Sequence, residues 1–175
     1  MSIESLIRTI PHYPRPGVMF RDITTLLKDP VGFRLVVADL ASRYAGWRVA
    51  KVAGVESRGF IIGGALAFQL GAGFVPIRKR GKLPAETIGH DYELEYGQDR
   101  VELHVDAIGP GERVLLVDDL IATGGTAEAA AALIAQTGGE IVECAFVIDL
   151  PNLGGRRRLE AKGLGVFALC RFACG

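Results

Sequence analysis

Residues 114–126 read VLLVDDLIATGGT. An apolar run fit for a buried strand stops at two adjacent aspartates. A short loop closed by Thr-Gly-Gly-Thr then leads into an alanine-rich stretch, 126–137. Strand, turn and helix in that order form the repeating unit of an α/β fold with a mostly parallel sheet. In such sheets ligands sit beyond the carboxyl ends of the strands, which is where Asp118 and Asp119 stand. The loop suits an anion: Gly124 and Gly125 admit close backbone approach, Thr123 and Thr126 add hydroxyl donors, and the opening helix offers unpaired N–H groups. The lysine of a Walker loop is absent, and so is GxGxxG.

The paired aspartates do not belong with the anion itself. Ionised carboxylates only accept hydrogen bonds and would repel a phosphate. Beside the phosphate they fit a vicinal diol such as a ribose supplies. Magnesium is a second possibility. A helix cap with a solvated acid is a third, and it accounts for one aspartate more easily than for two.

Outward from this loop, strands and helices alternate. Val49–Val55, Gly73–Arg78, Arg113–Val117, Ile141–Leu150 and Leu164–Phe172 read as strands, and Gly59–Leu70 and Thr126–Thr137 as helices. Asp29-Pro30 opens a helix with an N-cap and a first-turn proline, lined by Phe33, Val36, Val37, Leu40, Ala41 and Tyr44 and ended by Gly46. Near the N-terminus, Ile3, Leu6, Ile7 and Ile10 have helical spacing and predict a helix over Ser2–Ile10, before Pro11, Pro14, Pro16 and Gly17 force an irregular segment. A polar stretch, 78–104, starts basic and is too long for a plain connection. Tyr92, Leu94 and Tyr96 alternate there with Glu93 and Glu95, and Gly97-Gln98-Asp99 offers a turn into Val101, Leu103 and Val105. The reading is a basic loop running into a hairpin, either a lid or a surface excursion.

A second junction reads AGVESRGF, residues 53–60. Glu56, Ser57 and Arg58 end a strand and Gly59 opens a helix, so this turn also suits an anion. GxSxG fails here, which removes a nucleophilic serine. Two such junctions on one sheet edge, one carrying an acid pair, point to a sugar phosphorylated at two positions.

Composition narrows the classes further. The 175 residues suffice for one domain, 49% are hydrophobic, and 20 basic residues balance 20 acidic ones. That balance lacks the basic excess of a nucleic-acid binder. No apolar run spans a bilayer, and the N-terminus lacks a signal peptide's apolar core, so a cytoplasmic protein is expected. His12, His90 and His104 are scattered without metal-ligand spacing. Cys144, Cys170 and Cys174 lack CxxC spacing and are expected to be reduced thiols.

VLLVDDLIATGGT resembles the phosphoribosyl-diphosphate signature of the type I phosphoribosyltransferases. PRPGVMFRDIT at 14–24, GVESRGF at 54–60, VPIRKRGKLP at 75–84 and LEYG at 94–97 narrow the resemblance to the adenine phosphoribosyltransferases, along nearly the whole chain. The resemblance implies one phosphoribosyltransferase domain over 1–175, with a hood and base-pocket segment at 1–28 and a lid at 78–104. It implies purine salvage: adenine and 5-phosphoribosyl 1-diphosphate give AMP and diphosphate, with Mg²⁺ held mainly by substrate and water, in a homodimer.

The same resemblance assigns residues. Ala122, Thr123, Gly124, Gly125 and Thr126 would hold the 5-phosphate, and Asp118 and Asp119 the ribose hydroxyls. Ser57, Arg58 and Gly59 would face the diphosphate across a strained peptide bond, with Arg78 and Lys82, in the family sometimes from the neighbouring subunit. Met19, Phe20 and Arg21 would form the adenine pocket, closed by Leu150. Glu95 would manage a purine proton beside Tyr96. Met19 stands where valine is common and Ile121 where leucine is usual. Two rivals remain open: a related xanthine or guanine transferase, and a regulator that binds the sugar diphosphate without turnover.

Overall fold

The computed structural model describes residues 1–94 and 96–173. Glu95 and Cys174 lie outside them. The sheet that carries the chain is seven-stranded, and its order follows from its connections. β3 (Lys51–Val55), α3 (Arg58–Leu70) and β4 (Gly73–Lys79) make one parallel crossover, and β7 (Arg113–Ile121), α4 (Gly125–Gln136) and β8 (Glu140–Asp149) another. α5 (Gly155–Glu160) leads to β9 (Val166–Arg171), parallel to β8. With β5 (Thr87–Glu93) and β6 (Gln98–His104) beyond β4, β3 lies between β4 and β7 in the order β5-β6-β4-β3-β7-β8-β9. The chain leaves β3 toward one edge and returns at β7 to build the other, so the switch point lies between these two strands.

The strands bury both faces by simple alternation. Ala53, Val55, Val114 and Leu116 point into one core with Ala130, Leu133 and Ile134 of α4 and Leu159 of α5. Val52, Leu115 and Val117 point into the other, with Ile62 and Leu66 of α3 and Val36 and Leu40 of α2 (Pro30–Tyr44). Ala127, Ala129, Ala130 and Ala131 are all buried, and such short side chains let α4 lie close on the sheet. α2 starts as expected: Asp29 Oδ1 accepts from the N–H groups of Val31 at 3.0 Å and Gly32 at 2.7 Å. α3 stops at Gly71 in the left-handed conformation. No helix among the described residues is long and apolar enough to cross a membrane.

Three expectations need correction. Residues 2–10 are not a helix. A short 3-10 turn, Glu4–Leu6, is followed by β1 (Arg8–Pro11), which pairs antiparallel with β2 (Met19–Asp22) in a separate two-stranded ribbon. Ile3 and Ile7 reach the core, but from Arg8 on the backbone pairs with β2 instead of closing helical turns. α1 (Thr24–Leu27) then joins the ribbon to α2. β7 does not stop at Val117; it runs to Ile121, because Leu120 and Ile121 keep pairing with Ile148 and Asp149 of β8. The hairpin forms, but its turn is earlier than expected. β5 (Thr87–Glu93) pairs with β6 (Gln98–His104), Gln98 and Asp99 already belong to β6, and Leu94 and Tyr96 are exposed at the tip. β6 pairs antiparallel with β4, so the hairpin extends the sheet.

Candidate active site

The carboxyl ends of β3 and β7 open on one cleft of about 470 Å³. Ser57 and Arg58 line it from the β3–α3 junction, and Ala122, Thr123, Gly124, Gly125 and Thr126 from the β7–α4 junction. Asp118 and Asp119 stand between the two turns. The Glu56–Ser57 peptide at the first junction is cis.

The floor is packed so closely that side chains are excluded at two places. A Cβ on Gly59 would stand 2.9 Å from Asp118 Oδ1 and 3.0 Å from the Val117 carbonyl, so the first turn of α3 touches β7 directly. Gly124 has φ +85°, and a Cβ there would meet the Gly155 backbone at 3.0 Å. Gly155 donates its N–H to the Ala122 carbonyl at 2.9 Å. The start of α5 therefore braces the phosphate-suited loop from behind.

The acids are not equivalent. Asp119 is buried and accepts from Arg58 Nε. Asp118 is half-buried at the cleft, and its Oδ1 accepts from the Asp119 N–H at 2.8 Å. Burial, then the charge of Asp119, raises its pKa well above the ordinary carboxylate value. Two carboxylates side by side with one guanidinium leave the cleft short of positive charge. Among the described residues no group of three or more His, Cys, Asp or Glu gathers as a metal site. Two carboxylates are oxygen donors of the kind that a hydrated Mg²⁺ accepts.

Two further charged residues line the cleft that sequence reasoning did not assign, Glu56 as an acceptor and Lys79. Glu56 accepts from the Lys79 N–H at 2.8 Å and from Arg78 at 3.3 Å. Burial pushes its carboxyl up, but these donors outweigh that and lower its pKa. Lys79 Nζ donates to the Tyr92 hydroxyl at 2.7 Å and pairs with Asp99, which ties the cleft wall to the hairpin. A Cβ on Gly125 would lie 3.7 Å from the Tyr92 ring, so β5 rests on the N-terminus of α4. These partners come from distant parts of the chain, and no local pattern announces them.

The other assigned residues are not among those that line the cleft. Arg78 lies behind Glu56, its guanidinium also near the Lys82 carbonyl at 3.4 Å, and Lys82 is exposed. Tyr96, at the hairpin tip, has the Arg15 guanidinium 5.8 Å over its ring. Met19, Phe20 and Arg21 form β2 with Asp22, and Leu150 follows β8. Phe20 packs edge-on against Tyr13 at 5.1 Å. Glu95 is outside the described residues.

Comparison with known proteins agrees with this geometry. Residues 33–164 match the phosphoribosyl transferase domain family. The adenine phosphoribosyltransferase of Nitrosospira multiformis is 70% identical over 172 residues, 98% of each chain. The crystal structure of adenine phosphoribosyltransferase from Rhodothermus marinus superposes with a TM-score of 0.91 at 50% identity, covering 97% of this chain and 96% of that one. The Saccharomyces cerevisiae enzyme, solved with an imino-altritol bisphosphate and adenine, gives 0.90 at 38% identity, covering 96% of each chain. With two anion-suited turns and an acid pair on one cleft and these relatives along its whole length, the chain belongs to the adenine phosphoribosyltransferases.

Proposed function

We propose how the residues of this chain carry out the reaction of its family, transfer of the 5-phosphoribosyl group from 5-phosphoribosyl 1-diphosphate to adenine to give AMP and diphosphate. The observation that carries the proposal is the meeting of both junctions on one cleft with Asp118 and Asp119 between them. The backbone of residues 122–126 and the Thr123 and Thr126 hydroxyls hold the 5-phosphate at the start of α4. Asp118 and Asp119 accept from the ribose 2- and 3-hydroxyls. Ser57, Arg58 and Gly59 face the diphosphate, with Arg78 and Lys82 adding charge and Tyr96 closing from the hairpin tip. Adenine lies between Phe20 and Leu150 and is read by the backbone of residues 19–21.

Breaking the anomeric bond leaves positive charge on the ribose and negative charge on the departing diphosphate. The acid pair favours the former, and Arg58 with the basic residues the latter. In this structure Arg58 is bonded to Asp119. Arrival of the substrate exchanges that partner for the diphosphate and leaves Asp119 for the diol. Mg²⁺, when bound with the diphosphate, supplies further charge neutralisation of the leaving group. Residues 78–104 exclude water from the reacting centre, and Glu95 takes up the proton released by the purine.

The test is AMP formation across adenine, hypoxanthine, guanine and xanthine, with and without magnesium. Adenine is expected to be preferred, with turnover dependent on magnesium. Preference for a 6-oxopurine would overturn the base assignment, and tight binding of the sugar diphosphate without turnover would favour a regulator. A cytoplasmic homodimer is proposed with this activity. Buried Cys144 and Cys170 are free thiols, which suits a reducing compartment, and burial pushes both up to about 12. A solution mass near the 18.7 kDa of one chain would refute the dimer.

A further inference from the structure

The β1–β2 ribbon is a two-stranded sheet of its own, apart from the seven-stranded sheet. A lone pair of strands is marginal in water, so its placement depends on what ties it to the body. At its root, Ile7 and Ile23 enter the core and Arg8 pairs with Asp22. Toward its tip, Tyr13 and Phe20 pack on each other within the hood. Between root and tip lies Arg21. Alternation along β2 sends its side chain to the face opposite Phe20. One guanidinium nitrogen donates to Thr9 Oγ1 of the paired strand. The guanidinium lies over the Phe172 ring, 4.3 Å from its centre. Phe172 in turn donates its N–H to the Asp149 carbonyl at 3.1 Å, one residue before Leu150.

We infer that Phe172 is a positioning residue for base recognition: its ring clamps Arg21, and so sets the backbone of residues 19–21 at a fixed distance from Leu150. This rests on the base-pocket reading proposed above. Phe172 serves through Arg21 and does not touch the base, since the Arg21 side chain leaves the face opposite Phe20. The choice of a ring over an acid has a chemical reason. Arg21 Nε is buried and has no hydrogen-bond partner. A carboxylate there would satisfy it but would set a full negative charge beside a pocket for a neutral base. The face of an aromatic ring attracts the cation without adding net charge.

The experiment is steady-state kinetics of Phe172→Leu and Phe172→Tyr, with adenine and 5-phosphoribosyl 1-diphosphate varied separately, and thermal unfolding in parallel. Leucine keeps the apolar bulk and loses the ring face; tyrosine keeps both. Phe172→Leu is expected to raise the KM for adenine roughly fivefold to tenfold, the worth of one partly buried cation–ring contact, with the KM for the sugar diphosphate and kcat near those of the parent. Phe172→Tyr is expected to match the parent. An adenine KM unmoved in Phe172→Leu, a rise in both KM values together, or equal damage in Phe172→Tyr would overturn the inference alone. A parent that forms no AMP from adenine would overturn the functional reading and the inference with it.

Discussion

Gly155→Ala tests whether the start of α5 holds the loop of residues 122–126, proposed to seat the 5-phosphate, in place. An added Cβ would stand 2.4 Å from the Ala122 carbonyl oxygen, 2.7 Å from Ile121 Cγ1 and 2.8 Å from the Gly124 nitrogen. Two of these are backbone atoms of the loop itself. Ordinary contact begins at 3.4 Å, so the loop and α5 must separate by about 1 Å. Overpacking of this kind costs about 1–3 kcal/mol of stability, which lowers the melting temperature by roughly 2–4 °C per kcal/mol in a chain of this size. The functional effect is expected to be larger. A displacement of ~1 Å at a group that positions substrate costs up to about a hundredfold. We therefore expect kcat/KM for the sugar diphosphate to fall by roughly tenfold to a hundredfold, with the KM for adenine at saturating co-substrate near the parent's. Gly109→Ala is the control, since its Cβ would come no closer than 3.6 Å to any neighbour. A Gly155→Ala protein that melts lower yet keeps the parent's kcat/KM for the sugar diphosphate would refute the brace.

Two further predictions concern charge. Asp118→Asn removes a carboxylate whose pKa is raised, first by burial and then by Asp119. The folded protein binds that proton more tightly than the unfolded chain, so stability falls as pH rises from the ordinary aspartate value through the raised one. The Asp118→Asn substitution is therefore expected to leave the unliganded protein at least as stable at neutral pH, while weakening the sugar diphosphate about tenfold or more through a lost charge-assisted bond. Isothermal titration beside urea unfolding checks both, and parent-like affinity would remove Asp118 from the diol site. Asp22 has the opposite sign: the Arg8 guanidinium and the Thr24 N–H hold its carboxyl at about 2, below the ordinary value of 3.8. Its contribution is present above 3.8 and is lost as pH falls through about 2. With Arg8 55% exposed the shift is discounted for solvent, and Asp22→Asn is expected to cost about 1 kcal/mol at pH 7 by urea unfolding. A deficit that persists unchanged as pH falls from 4 toward 2 would contradict this.

The parts of the site that could be read from the chain are those in which one short segment carries both an element and its chemistry. Val114–Thr126 holds strand, acids, glycines and helix start together, and residues 53–60 do the same at the second junction. Both junctions form where the local pattern puts them. The long run of β7 past the aspartates was missed because Leu120 and Ile121 owe their pairing to β8. The N-terminus misled for a physical reason: Ile3 and Ile7 are core residues, but burial at helical spacing was met by a turn and a strand. Gly155 and Lys79 carried no signal of their own. One matters for an absent side chain pressed on Ala122, the other through Tyr92 and Asp99, and such contacts exist only once the sheet has formed.

The alanines beneath α4 bear on more than packing. Ala129 and Ala130, at 1% and 0% exposure, set how near the helix axis comes to the sheet. The first turn of that helix is also one wall of the cleft. Interior volume and cleft shape are thus a single variable along α4: a heavier side chain a turn or more from the cleft would tip that wall away from Asp118 and Asp119. Packing beneath α4 therefore sets the width of the cleft as well as the stability of the fold.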